Sequence, residues 1–261
     1  MNIFRIIRNF LDLFRIKFYC RKFTSFEEVE KFCKGKSNYS DETNFKFRYN
    51  KFVLNKNDIP AIYKNQYQIL LKTIDEFINR FKYFPKIIDF GGSFGEGYFF
   101  LKNFYSDQEI HYSVVEIPKI AALYSNENND KLFFHSSLKN ALEKDNSDLI
   151  FSSSTLQYLK DPYLILDEFN NSKVKMISLT RNSFSQKTMY YSQVSRLFSS
   201  GGGKSPNGYK NILTIHPHTV IDIKKLENAI NNYKIIFREK TFEKTVFLNC
   251  FSEDLIFVKK K

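Results

Sequence analysis

A glycine-rich segment is the part of the sequence best suited to chemistry. It lies within the run IIDFGGSFGEGY, residues 87–98, and holds glycines at 91, 92, 95 and 97. Glycine adopts backbone angles that other residues avoid, and it lets a ligand lie against bare backbone. In an open α/β sheet, such a turn follows the first strand and presents amide groups at the carboxyl edge of the sheet. The segment therefore predicts a ligand site between a strand and a helix.

An acidic residue follows the next predicted strand. Glu116 stands 25 residues after Gly91, where a carboxylate can accept hydrogen bonds from both hydroxyls of a ribose. A dinucleotide fingerprint would need glycine at 93 and 96, where the chain has Ser93 and Glu96. A negative Glu96 at a helix N-terminus would repel a pyrophosphate. The loop therefore suits a ligand without phosphate, such as S-adenosylmethionine; the alternative is a turn that only packs a helix on a strand.

Strand-like and helical segments alternate after Pro85, which predicts a mostly parallel sheet covered by helices on both faces. The last two strands have no obvious helix between them, so they are expected to be antiparallel neighbours. Apolar periodicity before Pro85 predicts helices over 26–32 and 60–81. The predicted strands are 86–90, 111–116, 132–134, 148–152, 174–179, 233–237 and 254–258.

Three runs carry a resemblance to a known family: DFGGSFGEGY, VVEIP and FHSSLKNALEKDNSDLIFSSSTLQYLKDP. Together they resemble S-adenosylmethionine-dependent methyltransferases with a Rossmann-like fold. More narrowly, they resemble a small bacterial family associated with surface-polysaccharide gene clusters. The resemblance covers about residues 24–184. It implies an α/β Rossmann-like methyltransferase sandwich of about seven strands, with an antiparallel strand near the C-terminus. We expect an N-terminal helical region, 1–84, and a methyltransferase domain, 85–261.

The same resemblance implies a site for the methyl donor. The run from Asp89 to Gly95 would cradle the methionine end, Glu116 would hold the ribose hydroxyls, and Ile117 would lie against the adenine. Serines after the third strand would lie near the adenine edge, and serines ending the fourth strand would lie by the methionine. The expected donor-binding residues are Asp89, Phe90, Gly91, Gly92, Ser93, Gly95, Glu116, Ile117, Ser136, Ser137, Ser152 and Ser153.

Two departures from the family pattern refine this expectation. Ser93 replaces the middle glycine of the usual GxGxG. The fourth strand ends in serines rather than in an acid followed by proline, which argues against methylation of amino groups on nucleic-acid bases. These serines also leave no obvious pair of acids for a metal ion, so no metal is expected.

Residues 185–232 are where such folds insert a lid over the acceptor. This insertion holds a Ser/Gly loop, residues 199–208, and two histidines, His216 and His218. Oxygen acceptors often need a base, and histidine is the natural candidate near neutral pH; because a proline separates the two, only one is expected to point into the site. The alternative is that both are ordinary loop histidines. Arg181 and the lysines of the insertion can bind an anionic acceptor, or form a solvated basic face.

Charge, cysteine content and apolar segments limit the binding partners and the cellular compartment that we expect. The formal charge is +12, and lysine supplies 31 of the 40 basic residues, so the surface attracts anions without specifying which ones. Three cysteines without CxxC spacing fit a reducing cytoplasm. No apolar stretch is long enough to span a membrane. Residues 1–19 predict an amphipathic helix that docks on the protein, on a partner or on the inner membrane surface.

The combined expectation is an enzyme that transfers a methyl group from S-adenosylmethionine to a small molecule and releases S-adenosylhomocysteine. An oxygen acceptor on a surface-polysaccharide (capsule) precursor or its phosphoryl decoration is favoured. A nucleic-acid methyltransferase and a non-catalytic relative that serves as an interaction module remain alternatives. The oligomeric state is not predicted.

Overall fold

The computed structural model describes residues 18–35, 42–124, 131–241, 247 and 249–261. The amphipathic helix predicted over 1–19 lies outside the described residues, except for Phe18 and Tyr19. No helix in the described ranges is long and apolar enough to cross a membrane.

The described helices and strands follow one another along the chain. Their bounds are β1 (Lys22–Phe23), α1 (Phe26–Cys33), α2 (Glu42–Asn55), α3 (Ile59–Ile62), α4 (Lys64–Phe81), β2 (Ile87–Phe90), α5 (Glu96–Phe104), β3 (Tyr112–Val115), α6 (Pro118–Tyr124), β4 (Leu132–His135), α7 (Leu138–Lys144), β5 (Leu149–Ser153), α8 (Pro162–Asn171), β6 (Met176–Ser185), β7 (Met189–Arg196), β8 (Leu213–Asp222), α9 (Ile223–Ala229), β9 (Tyr233–Lys240) and β10 (Phe251–Lys259).

Ten strands of the described chain form one branched sheet. Its main part has the order β4-β3-β2-β5-β6-β10-β9. The pairs among β2 to β6 are parallel, whereas β10 is antiparallel to both β6 and β9. All seven predicted strands are confirmed, as is the antiparallel pairing at the C-terminal end. The chain therefore has the expected Rossmann-like methyltransferase fold.

Helices cover both faces of this sheet. On one face, apolar side chains of α4 and α5 pack on the strands in a cluster that includes Leu70, Phe77 and Phe100. On the other face, α7, α8 and α9 contribute Leu138, Phe169 and Leu226 to a second cluster. Strands buried on both faces are mostly apolar, which explains why short runs such as 149–151 could be recognised in the sequence.

The insertion predicted to be a lid is an ordered β-hairpin. Strands β7 and β8 pair antiparallel along their length, and the end of β6 pairs with the end of β8 at Phe184 and Ser185. On its outer side, β7 pairs with β1. The sequence analysis recognised neither strand, because their mixture of serine, histidine and threonine lacks a continuous apolar run.

The Ser/Gly loop is fastened to helix α2 rather than left free. The ammonium group of Lys51, which is buried, donates to the carbonyls of Phe198, Ser200 and Gly201 at 2.8, 3.1 and 2.9 Å. Asn55 accepts from the amide of Lys204 at 2.8 Å and donates to the carbonyl of the same residue. Burial lowers the pKa of Lys51. These contacts hold helix α2 and the loop after β7 in a fixed position relative to each other.

We expect Lys51→Met to destabilise the protein by about 1–3 kcal/mol, because three carbonyl oxygens lose their donor. Urea unfolding measures this loss, and hydrogen exchange should show faster exchange in residues 198–204. Lys46→Met is the matched control, since Lys46 is exposed on the same helix and pairs with Glu42; its expected cost is below about 0.5 kcal/mol. Equal stability of the two variants would contradict this role of Lys51.

Candidate functional site

The glycine turn, residues 91–95, lies between β2 and α5 at the carboxyl edge of the sheet. The amide of Gly91 donates to the carbonyl of Val115 on β3 at 2.8 Å, and the amide of Gly95 donates to the carbonyl of Gly92 at 2.9 Å. Gly91 and Gly95 have φ values of 79° and 78°, and Ser93 also has a positive φ of 53°. The left-handed region favours glycine, so the spacing of glycines predicted this turn correctly.

The turn passes very close to neighbouring side chains. A Cβ atom on Gly91 would lie 2.0 Å from Oγ1 of Thr155, and one on Gly92 would lie 2.5 Å from Oδ2 of Asp89. Both positions therefore need glycine for space, and Gly91 needs it for its backbone angle as well.

Glu116 ties the glycine turn to the next strand. Its Oε1 atom accepts a hydrogen bond from the amide of Ser93 at 3.0 Å, and its Oε2 atom accepts one from the amide of Ile117 at 2.9 Å. Each carboxylate oxygen keeps a further lone pair, so Glu116 can still accept from a ligand. Ile117, beside it, is 45% exposed although it is apolar.

Helix α2 contributes a residue to this turn that the sequence analysis missed. Nη2 of Arg48 donates to Oγ of Ser93 at 2.9 Å, and its guanidinium carbon lies 5.5 Å from the centre of the Phe94 ring. The Phe94 side chain is buried against Phe45 and Phe52 of the same helix. Nothing in the sequence around 48 marks an arginine that reaches residue 93, because only the tertiary packing of α2 brings them together.

Two carboxyl groups are buried behind the turn. Oδ2 of Asp89 accepts from the Tyr112 hydroxyl at 2.6 Å, and Oε2 of Glu96 accepts from the amide of Phe94 at 3.0 Å. Burial raises the pKa of Asp89 to about 7, with smaller contributions from the charges of Glu96 and Glu116. Burial also raises the pKa of Glu96 to about 7, against the opposing charge of Arg48. Near neutral pH, both groups are therefore partly protonated.

The predicted serines occupy different environments. Ser152 is fully buried, and its hydroxyl donates to the Phe90 carbonyl at 3.1 Å, so it links the ends of β2 and β5. Ser153, half-buried, accepts from Nη1 of Arg181 at 3.4 Å. Ser136 is exposed after β4, and Ser137 caps α7 by accepting from the amide of Asn140.

The two histidines of the insertion lie on one strand, β8, and are both buried. Residues two apart point to the same face of a strand, and both rings approach the Tyr158 ring edgewise at 6.2 and 5.8 Å. Both rings therefore lie on the same face of β8, toward Tyr158; whether either enters the site stays a prediction. Nδ1 of His218 lies 2.8 Å from Oε1 of Gln193.

The environment of the two histidines shifts their titration away from neutral pH. Burial lowers the pKa of His216 to about 4, and the charge of Arg48 contributes. Burial lowers the pKa of His218 to about 3, with His216 contributing. Both imidazoles are neutral at pH 7, because the charged form cannot be hydrated inside the protein.

Tyr63 lies where the elements of this edge converge. Its hydroxyl accepts from the amide of Gly202 in the Ser/Gly loop at 3.2 Å. Burial raises the pKa of Tyr63 and the charge of Glu96 adds to the shift, whereas the guanidinium groups of Arg48 and Arg181 oppose it. Both guanidinium charges therefore act on this one side chain, which also contacts the Ser/Gly loop.

The described ranges contain no group of three or more His, Cys, Asp or Glu side chains that could hold a metal ion.

No protein-family model and no curated protein matches the chain. Solved structures give remote likenesses. One is an S-adenosylmethionine-dependent methyltransferase from Clostridium acetobutylicum, at 14% identity over 82% of this chain and 99% of that one, with a TM-score of 0.48. Another is magnesium protoporphyrin IX methyltransferase from Synechocystis with bound S-adenosylhomocysteine, at 12% identity over 85% and 97%, with a TM-score of 0.48. A third is an amino pentose methyltransferase from Micromonospora echinaspora with bound S-adenosylmethionine, at 10% identity over 75% and 92%, with a TM-score of 0.46. Likenesses at this level transfer no substrate and no residue role to this chain.

We expect Gly91→Ala to destabilise the protein more than Gly208→Ala, by about 1–3 kcal/mol. Both glycines have positive φ, but a Cβ on Gly208 would meet nothing within 4 Å, whereas one on Gly91 would collide with Thr155. Gly208→Ala therefore measures the backbone cost alone, about 1 kcal/mol. Thermal or urea unfolding of the two variants checks the difference, and equal losses would show that the turn can relax away from Thr155.

The raised pKa values of Asp89 and Glu96 predict how stability depends on pH. Each carboxyl binds its proton more tightly in the folded than in the unfolded protein, so the stability it contributes is complete below about pH 4 and is lost as the pH rises through about 7. Glu96→Gln removes one of these groups, while Oε1 of the glutamine can still accept from the Phe94 amide.

The melting temperature of Glu96→Gln should therefore fall less than that of the unmodified protein between about pH 5 and about pH 7.5. The lowered pKa values of the two histidines act in the opposite direction, but both proteins share them. Glu143→Gln, on the exposed side of α7, is the control and should follow the unmodified protein. Parallel curves for Glu96→Gln and the control would exclude a buried, protonated Glu96.

Proposed function

We propose that this protein is an S-adenosylmethionine-dependent methyltransferase that acts on a small molecule. The observation that carries this proposal is the glycine turn at the carboxyl edge, with Glu116 at the end of the next strand and the exposed Ile117 beside it. This is where doubly wound sheets bind nucleoside ligands. We assign the donor site to this turn. We assign the contacts with the acceptor molecule to the insertion, residues 185–232, and we regard 1–84 as a helical region beside the site.

The residues present fit the donor. Glu116 keeps lone pairs for two hydroxyls, and Ile117 offers an apolar surface to a base. When bound, the donor supplies a methyl group activated by a positively charged sulfur. In a direct displacement of this kind, the chain contributes mainly by holding the acceptor atom in line.

The acceptor that we propose is an oxygen atom on a surface-polysaccharide precursor or its phosphoryl decoration; this part rests on the sequence resemblance. The buried face of β8 supports an oxygen acceptor. Since Oε1 of Gln193 is an acceptor, Nδ1 of His218 donates to it, and Nε2 carries the lone pair. This Nε2 atom is buried without a hydrogen-bond partner among the described residues, so it can accept a hydrogen bond from a hydroxyl group of the acceptor and orient it. His216 lies beside it on the same face.

Calorimetric titration with S-adenosylhomocysteine tests the donor site. We expect saturable binding that Ile117→Ala weakens about five- to thirtyfold, because the base loses part of its apolar contact. Since Ile117 is exposed, the melting temperature should not change. Ile235→Ala is the matched control: Ile235 is another exposed isoleucine, 36% exposed on β9, and binding to this variant should equal that of the unmodified protein.

Absence of binding by the folded, unmodified protein would refute the proposed function. Binding that both isoleucine variants retain unchanged would place the donor elsewhere on the protein.

A further inference from the structure

We propose that Arg48 and Arg181 together bind an anionic group, a phosphoryl or a carboxylate, of the acceptor. This inference rests on the proposed function for the reaction itself, but the position of the two arginines does not depend on it. They come from separate elements, helix α2 and strand β6, and neither belongs to the glycine turn or to the insertion.

The hydrogen bonds place both guanidinium groups at one edge of the sheet. Arg48 donates to Ser93, just after β2, and Arg181 donates to Ser153, the last residue of β5. Strands β2 and β5 are parallel neighbours, and neighbouring strands lie about 4.8 Å apart. The two serines therefore lie at adjacent strand ends, and each brings an arginine to the same edge of the sheet. Both guanidinium charges oppose the raised pKa of Tyr63.

The backbone of Arg181 is a second, independent observation. Its φ is 59°, in the left-handed region that a long side chain seldom adopts, and such angles gather at binding sites. The irregular pairing between β6 and β10 occurs at the same place, between Glu253 and Leu255. This backbone conformation interrupts the regular strand where the guanidinium group approaches Ser153.

The charges around Arg48 and Arg181 favour the binding of an anion. Arginine stays protonated at every accessible pH, whereas His216 and His218 are neutral at pH 7 because of burial. Two carboxyls, Glu96 and Asp254, interact electrostatically with these arginines, and burial disfavours the charged form of both. Burial raises the pKa of Glu96 to about 7 despite Arg48, and burial raises the pKa of Asp254 despite Arg181. Guanidinium groups bind phosphoryl and carboxylate oxygens in a paired, planar geometry, which suits either anion.

The test uses the full chain saturated with S-adenosylhomocysteine, so that the donor site is filled, and titrates it with inorganic phosphate and with acetate at constant ionic strength. We expect one of the two anions to bind saturably. Arg48→Met and Arg181→Met should each weaken the binding of that anion at least tenfold. The lysine variants at both positions should retain an intermediate affinity, since lysine keeps the positive charge but lacks the planar pair of donor groups that arginine presents. Preference for phosphate indicates a phosphoryl acceptor, and preference for acetate a carboxylate.

Arg80→Met is the control, because Arg80 is exposed on α4 and pairs with Glu76; its anion affinity should equal that of the unmodified protein. The proposal is overturned if neither anion saturates, or if Arg48→Met and Arg181→Met bind as tightly as the control. It is also overturned if Arg48→Met weakens S-adenosylhomocysteine and leaves the anion unaffected, since Arg48 then serves the donor. If one methionine variant does not fold, the lysine variant at that position decides.

Failure of the proposed function gives a different result. The unmodified protein would then not bind S-adenosylhomocysteine, while the same anion titration of the unliganded protein would still compare the arginine variants.

Discussion

The conformation of Ser93 depends on two other elements at once, and the site at the carboxyl edge depends on Ser93. Its amide is held by Glu116 at the end of β3, and its hydroxyl is held by Arg48 of helix α2. A positive φ at a residue other than glycine costs of order 1 kcal/mol or more, and these two hydrogen bonds offset that cost. A movement of either β3 or α2 would therefore be transmitted directly to the glycine turn.

The fold and the glycine turn could be predicted from the sequence because they depend on patterns within short segments of the chain. Strand β5 contains a continuous apolar run, 149–151, and the glycines at 91 and 95 occupy positions where the backbone requires them. The helix predicted over 60–81 is divided at Tyr63, into α3 and α4. Apolar periodicity continues across this break and cannot reveal it.

The contacts of the side chains that surround the turn could not be predicted from the sequence, because they arise from packing between distant segments. Lys51 resembles any helical lysine until the Ser/Gly loop folds over it, almost 150 residues later. Arg48 acquires its contact with Ser93 in the same way. The histidine pair is an intermediate case: the spacing of His216 and His218 would have placed both on one face if β8 had been recognised as a strand.

Burial, rather than composition, sets the electrostatic character of the site. The chain carries a formal charge of +12, yet that excess lies largely in lysines that solvent can screen. At the carboxyl edge, burial makes the histidines neutral and leaves Asp89 and Glu96 half-protonated near pH 7. The arginines cannot respond in this way, since a guanidinium group does not lose its proton. Arg48 and Arg181 therefore keep their positive charge at this edge of the sheet, whereas the charges of the neighbouring carboxyls and histidines are set by burial.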